Sequence, residues 1–254
     1  MTPANRARMR EVVGRAVRTG LFPGGVGGHT HADDHGHSLG TNDAGVDTLP
    51  TAAIPGTASV APPASGLPRR ERFRAALEAL AGVVHEAGTV DQTADVIAGL
   101  ASRLGTQALL SWSDEAIGVA GLGQALAARG LTTVVPEIPQ RGPERAAKLA
   151  ELAALPLGLT GADAGLATTG SVIVAAGPGR PRMASLLVPV HVAVLRVDRL
   201  VDDISTLLAT RGDLVAAGSN LVAITGPSRT ADIEHTLSRG VHGPGEVHVI
   251  LLDA

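Results

Sequence analysis

Residues 107–135 read QALLSWSDEAIGVAGLGQALAARGLTTVV. Two short apolar runs, 107–112 (QALLSW) and 131–135 (LTTVV), flank a stretch from Ser113 to Arg129 that Gly130 can end. The pattern predicts a strand, a helix and a second strand. Further apolar runs follow at 171–175 (SVIVA), 191–197 (HVAVLRV), 220–225 (NLVAIT) and 247–252 (VHVILL), with helices expected at 143–153, where Pro143 suits the first turn, and at 199–210. These runs are rich in Val and Ile and lack strict polar alternation, which fits strands covered on both faces. The expected fold class is therefore α/β, a mostly parallel sheet flanked by helices.

Upstream, Phe73, Leu77, Leu80 and Val84 recur at helical spacing from about Arg70, with Arg72, Arg74 and Glu78 off that stripe. A second helix is expected over 93–104, capped by Thr93 and ended by Gly105. Residues 5–19 form an expected basic amphipathic helix that stops at Gly20. Between them the composition turns to Gly, Pro, Ala, Thr, Ser and His with few bulky apolar residues, so this segment cannot bury enough surface to offset its ordering entropy. The reading is an N-terminal helix at 1–20, a flexible Gly/Pro/His-rich insertion at 21–69, and an α/β domain at 70–254.

Composition narrows the function. The 254 residues are 44% hydrophobic but only 1% aromatic, which leaves no platform for stacking bases. A formal charge of -3 gives no pull toward nucleic acid or anionic lipid. There is no cysteine, so no iron–sulfur cluster can rest on thiolates of this chain. No run approaches the ~20 apolar residues that span a bilayer, and the basic N-terminus lacks an apolar signal core, so a cytoplasmic location without membrane insertion is expected. The signatures GxxxxGK[ST], HExxH and GxSxG are missing, and Gly121-Leu122-Gly123 lacks the third glycine of a dinucleotide fingerprint.

In parallel sheets, ligands gather beyond the carboxyl ends of strands. The loop Thr225-Gly226-Pro227-Ser228-Arg229-Thr230-Ala231-Asp232 precedes an expected short helix. Its Gly226 permits close approach, Ser228 and Thr230 offer hydroxyls or a helix cap, and Arg229 with a helix N-terminus would favour an anion, with Thr225 and Asp232 in the same candidate anion site. The bland alternative is a capped helix whose Arg229 pairs with Asp232 or Glu234. A second loop carries Asp163, a candidate base or hydroxyl-orienting group, with Thr169 and Gly170 as hydrogen-bond donors. A turn with an Asp cap would read the same way. Arg180, Arg182, Ser185 and His191 form a third group; His191 is a candidate acid or base or else a satisfied core residue, and His242 is equally ambiguous. The run HTHADDHGH places His29, His31, His35 and His37 at spacings that could chelate a metal, although a solvated loop is the commoner outcome.

Four blocks carry a resemblance: GLTGADAGLATTGSVIV, RPRMASLLVPVHVAVLRVD, ITGPSRTADIE and GVHGPGEVHVILLD. In this order they resemble the LUD domain family, in its lactate-utilisation protein C branch, over residues 70–254. The resemblance implies a NagB/RpiA/CoA-transferase-like fold. It also implies a part in L-lactate oxidation to pyruvate, with the iron–sulfur clusters on partner subunits and a small carboxylate such as L-lactate as ligand. Thr168 stands where many members carry Glu, so the loop brings no carboxylate at that point. Two other roles stay open, a docking subunit without catalysis and an independent enzyme acting on a sugar phosphate or acyl-CoA, the latter by fold analogy alone.

Overall fold

The computed structural model describes residues 66–139, 141–217, 220–231, 237–239 and 242–253. The expected helix at 1–20, all but the last residues of the 21–69 insertion with His29, His31, His35 and His37, and Asp232 lie outside the described residues.

Helix α1 (Arg69–Ala79) buries Phe73, Ala76 and Leu77 on one side. It ends sooner than its apolar stripe implies: Gly82 donates back to the Leu77 carbonyl at 3.0 Å, and Ala81 adopts φ 64°. Strand β1 (Val83–Ala87) follows, so Val84, counted with the helix from its spacing, belongs to a strand. Helix α2 (Val90–Arg103) is capped by Thr89, whose hydroxyl accepts from Gln92 N at 3.2 Å. Thr93, the expected cap, lies one turn inside and is buried, because Val90 already packs on the core.

Strand β2 (Ala108–Ser111) leads into two short helices, α3 (Asp114–Ile117) and α4 (Leu122–Ala128), where one was expected. The break lies at Gly118 and Gly121, with φ of 74° and 81°, values that L side chains rarely adopt. After β3 (Thr132–Val134) and α5 (Pro143–Ala153), which matches its expected bounds, come β4 (Leu157–Gly161), β5 (Ala164–Leu166), β6 (Ser171–Ala176), α6 (Met183–Leu186) and β7 (Val190–Arg196). The helix expected at 199–210 begins later, because a 3-10 turn at Val197–Arg199 and strand β8 (Leu200–Val201) precede α7 (Ile204–Thr210). Helix α8 (Gly212–Ala217), β9 (Asn220–Ile224), β10 (Arg229–Ala231), β11 (Leu237–Arg239) and β12 (Glu246–Leu252) complete the described chain. The helix expected after Ser228 is instead an antiparallel ribbon that pairs Arg229 with Arg239 and Thr230 with Ser238. Ser228 N is taken by the Pro244 carbonyl at 2.8 Å.

Six strands form one sheet in the order β1-β12-β7-β4-β2-β3, parallel at every pairing. Alternate residues separate two cores. Val192, Val194, Ile250 and Leu252 face one way with Ile97 of α2 and Leu126 of α4. Ala193, Leu195, Val249 and Leu251 face the other with Phe73 and Leu77 of α1. Each large aliphatic side chain so buried contributes roughly 1.5–3 kcal/mol relative to exposure. The second face also receives a four-stranded mixed sheet, β8-β5-β6-β9, which the sequence reading did not anticipate. Only Ala162 and Asp163 separate β4 of the first sheet from β5 of the second.

Candidate functional site

Strand order reverses between β2 and β4: β2 leads outward to β3, and β4 returns to its inner side. Such a switch point, at the carboxyl ends of parallel strands, is where open α/β sheets form crevices. Asp163 stands there, just after β4, and is 5% exposed. Its amide donates to Ile173 O at 2.8 Å. Its carboxylate accepts from Ala175 N at 2.8 Å on Oδ2 and from Arg180 Nη1 at 2.7 Å on Oδ1. Each carboxylate oxygen thus has a donor, and the group is locked in orientation.

Arg180 is held from below as well. Its guanidinium carbon lies 5.0 Å from the centroid of the Trp112 ring, a cation–π contact. Trp112 is 2% exposed and donates Nε1 to Pro181 O at 3.3 Å. Gly179, at φ 69°, lets the Arg180 turn close on Ser113, whose amide donates to Gly179 O at 2.9 Å; a Cβ there would meet Ser113 Oγ at 2.7 Å. Gly161 does the same for α3, since a Cβ would lie 2.4 Å from Ile117 O. A cavity of about 330 Å3 opens beside the pair, lined among others by Asp163, Pro178, Arg180, Arg211 and Asp213. Asp213 is held below the usual carboxylate range by its hydrogen bond from Arg211.

The other expected residues lie elsewhere. His191 is on the second residue of β7, paired with Gly158, while Gly161 pairs with Val194, so it sits three residues back, roughly 10 Å, toward the amino end of the sheet. It is fully buried, bonds Thr160 Oγ1 through Nε2 at 2.9 Å, and leaves Nδ1 without a partner. Burial pushes its pKa down to about 3, with a smaller contribution from His248, so it is neutral at physiological pH. Thr169, Ser171 and Thr225 share a hydroxyl chain of 2.7 and 2.8 Å at the start of β6, the end away from Asp163. Gly170 packs on α1, where a Cβ would lie 2.3 Å from Leu77 N. Gly226 lies against Leu80, Ser228 against Gly243, and exposed His242 lines a different cavity. Ser185 donates to Arg182 O at 3.1 Å within α6. The three loops therefore do not meet in one cleft: β4 carries Asp163 to the carboxyl end, while β9 and the segment before β12 leave Thr225, Ser228 and His242 at the amino end. Thr168 donates to the backbone carbonyl of Asp202, whose carboxyl is held at about 2 by Arg69 and Arg72.

At the amino end stands a group that spacing alone did not reveal. His85 Nε2 and His248 Nδ1 are 3.0 Å apart on neighbouring strands β1 and β12, His248 Nε2 lies 3.4 Å from Glu246, and Glu246 pairs with Arg103 at 2.6 Å. Burial lowers the pKa of both histidines; the neighbouring His248 and Arg74 add to this for His85, whereas Glu246 opposes it for His248. A cavity of about 760 Å3, lined by Leu104, Leu186, Val188, His242 and Glu246 among others, opens here. Among the described residues, no three His, Asp or Glu side chains are grouped to hold a metal ion, and no helix is long and apolar enough to cross a membrane.

Fold and site together define an α/β protein with a parallel central sheet and a paired carboxylate and guanidinium at its switch point. The chain belongs to the LUD domain family, which matches residues 70–252. It is similar to an uncharacterized protein of Neisseria meningitidis serogroup B, at 36% identity over 37% of this chain and 41% of the relative. Lactate utilization protein C of Exiguobacterium sp. is 36% identical over 38% of this chain and 44% of the relative. Lactate utilization protein C of Shouchella clausii is 30% identical over 59% and 64%. The matches thus span about two fifths to two thirds of these relatives' length. A crystal structure of a DUF162 family protein from Deinococcus radiodurans aligns with a TM-score of 0.49 at 20% identity, covering 73% of this chain and 99% of that one.

Proposed function

We propose that this chain takes part in lactate utilisation by holding a small 2-hydroxy acid at the switch-point cavity, and that partner subunits carry the redox centres. The observation that supports this reading is the Asp163–Arg180 pair over Trp112. A guanidinium has five donors, and Asp163 takes one, so a ligand carboxylate can bind Arg180 while its 2-hydroxyl donates to Asp163. Oxidation of L-lactate to pyruvate removes two electrons and two protons. The chain has no cysteine to ligate a cluster, so the electrons pass to iron–sulfur clusters on partner chains. In this reading Arg180 holds the ligand carboxylate, because it is the guanidinium that stands with Asp163.

Calorimetry of the full chain with L-lactate, D-lactate and pyruvate tests this, alongside Arg180→Lys. Lysine keeps the charge but loses the planar fork and the stacking on Trp112. Saturable L-selective binding, weakened by Arg180→Lys, is the expected result. Equal binding by both proteins would take the site away from Arg180, and no heat with any of the three acids would remove the substrate site from this chain and leave a docking role.

A further inference from the structure

We infer that the switch-point cavity takes a ligand with two acidic groups, one on Arg180 and one on Arg211, and so prefers a 2-hydroxy dicarboxylate to a monocarboxylate. This rests on the reading of the cavity as a hydroxy-acid site. Two guanidiniums line the same space, and they are held differently. Arg180 is 29% exposed, backed by Trp112 and tied to Asp163, whose side chain is 6% exposed. Arg211 follows α7, its amide bonded to Leu207 O at 2.7 Å, and its side chain is 42% exposed. Its partner Asp213 is two residues away and 65% exposed, with contacts of 3.1 and 3.3 Å. An exposed pair of this kind gains little over its separated, hydrated ions, so a ligand carboxylate can replace Asp213 on Arg211. Asp163 has no such freedom, since Ala175 N and Arg180 both fix it.

Space argues the same way. The cavity measures about 330 Å3. A six-heavy-atom acid bound to Arg180 occupies a fraction of that and leaves the Arg211 end to solvent. A second acidic group reaches it. The first carboxylate and the hydroxyl then sit on the fixed pair, and the second carboxylate sits on the more exposed Arg211 guanidinium.

L-malate and L-lactate differ by this second carboxylate, so their affinities for the full chain and for Arg211→Ala provide the test. The wild-type chain is expected to bind L-malate at least about tenfold tighter than L-lactate, the scale of one charge-assisted hydrogen bond. Arg211→Ala is expected to weaken L-malate binding far more than L-lactate binding and to bring L-malate within about twofold of L-lactate. Equal affinities in the wild type, or a malate preference that survives Arg211→Ala, would overturn the inference while lactate binding kept the underlying reading. If neither acid binds, both fall.

Discussion

At the carboxyl end of the six-stranded sheet, Asp163 and Arg180 form an ion pair fixed by a backbone amide and an indole. At the amino end, His85 and His248 touch at 3.0 Å and connect through Glu246 to Arg103. One end is built from an ion pair held in a defined orientation, the other from bases whose neutrality depends on pH. The difference teaches that burial serves two purposes here. At the first end it fixes the direction of a charge, which suits recognition; at the second it suppresses charge, which ties the stability of the fold to proton concentration.

The largest effect is expected at the carboxyl end. Asp163→Ala leaves Arg180 without its partner and Ala175 N without its acceptor, and removing one member of a buried pair costs about 3–5 kcal/mol. Because Arg180 is 29% exposed, about 3 kcal/mol is expected, read as a drop in unfolding free energy from urea titration. A loss below about 1 kcal/mol would mean that the pair is not held as described. Next comes Gly161→Ala, whose Cβ would lie 2.4 Å from Ile117 O. The backbone must move, at a cost of about 1–3 kcal/mol. Since α3 follows Trp112 closely, hydroxy-acid binding is expected to weaken with it; unchanged binding would separate α3 from the site.

The comparison sharpens on pH. His85 and His248 have folded-state pKa values below their free value of 6.5. Between the two values the native state binds fewer protons than the unfolded chain, so stability rises with pH. It is complete above about 6.5 and declines as pH falls, by up to about 1.4 kcal/mol per pH unit for each histidine kept neutral. His191, pushed down to about 3, extends that decline to lower pH. Urea midpoints from pH 7.5 to 5 should show the slope, and His248→Gln should reduce it. A slope unaffected by His248→Gln would assign it elsewhere. The smallest effect is expected for Arg103→Ala, which breaks an ion pair whose side chains are each 48% exposed, and solvent screening holds the loss to about 0.5 kcal/mol or less.

The elements that sequence reading placed well are those whose cause is local. Pro143 starts α5, and the Val- and Ile-rich runs became β6, β7, β9 and β12. It failed where distant packing overrides spacing. Val84 continues the α1 stripe by one more step of four, yet the turn at Ala81 ends the helix first. Arg229 precedes an expected helix but lies in a ribbon, because its pairing with β11 is set eight or more residues downstream. Asp163 was legible as a polar residue in a loop after an apolar run. Its partner was not, since Arg180 lies 17 residues away and Trp112 another 68 from Arg180. Only the reversal of strand order brings β2 beside β4 and so places the indole beneath the guanidinium.

Trp112 has a use beyond holding Arg180. The chain contains one tryptophan and no tyrosine, so its near-ultraviolet emission arises from this one indole. That indole is buried and lies 5.0 Å from the guanidinium carbon of Arg180. Any molecule that draws Arg180 away from the ring, or seats beside it, changes the surroundings of the protein's sole fluorophore, so the intrinsic fluorescence of the unlabelled chain is a direct optical readout of the switch-point site.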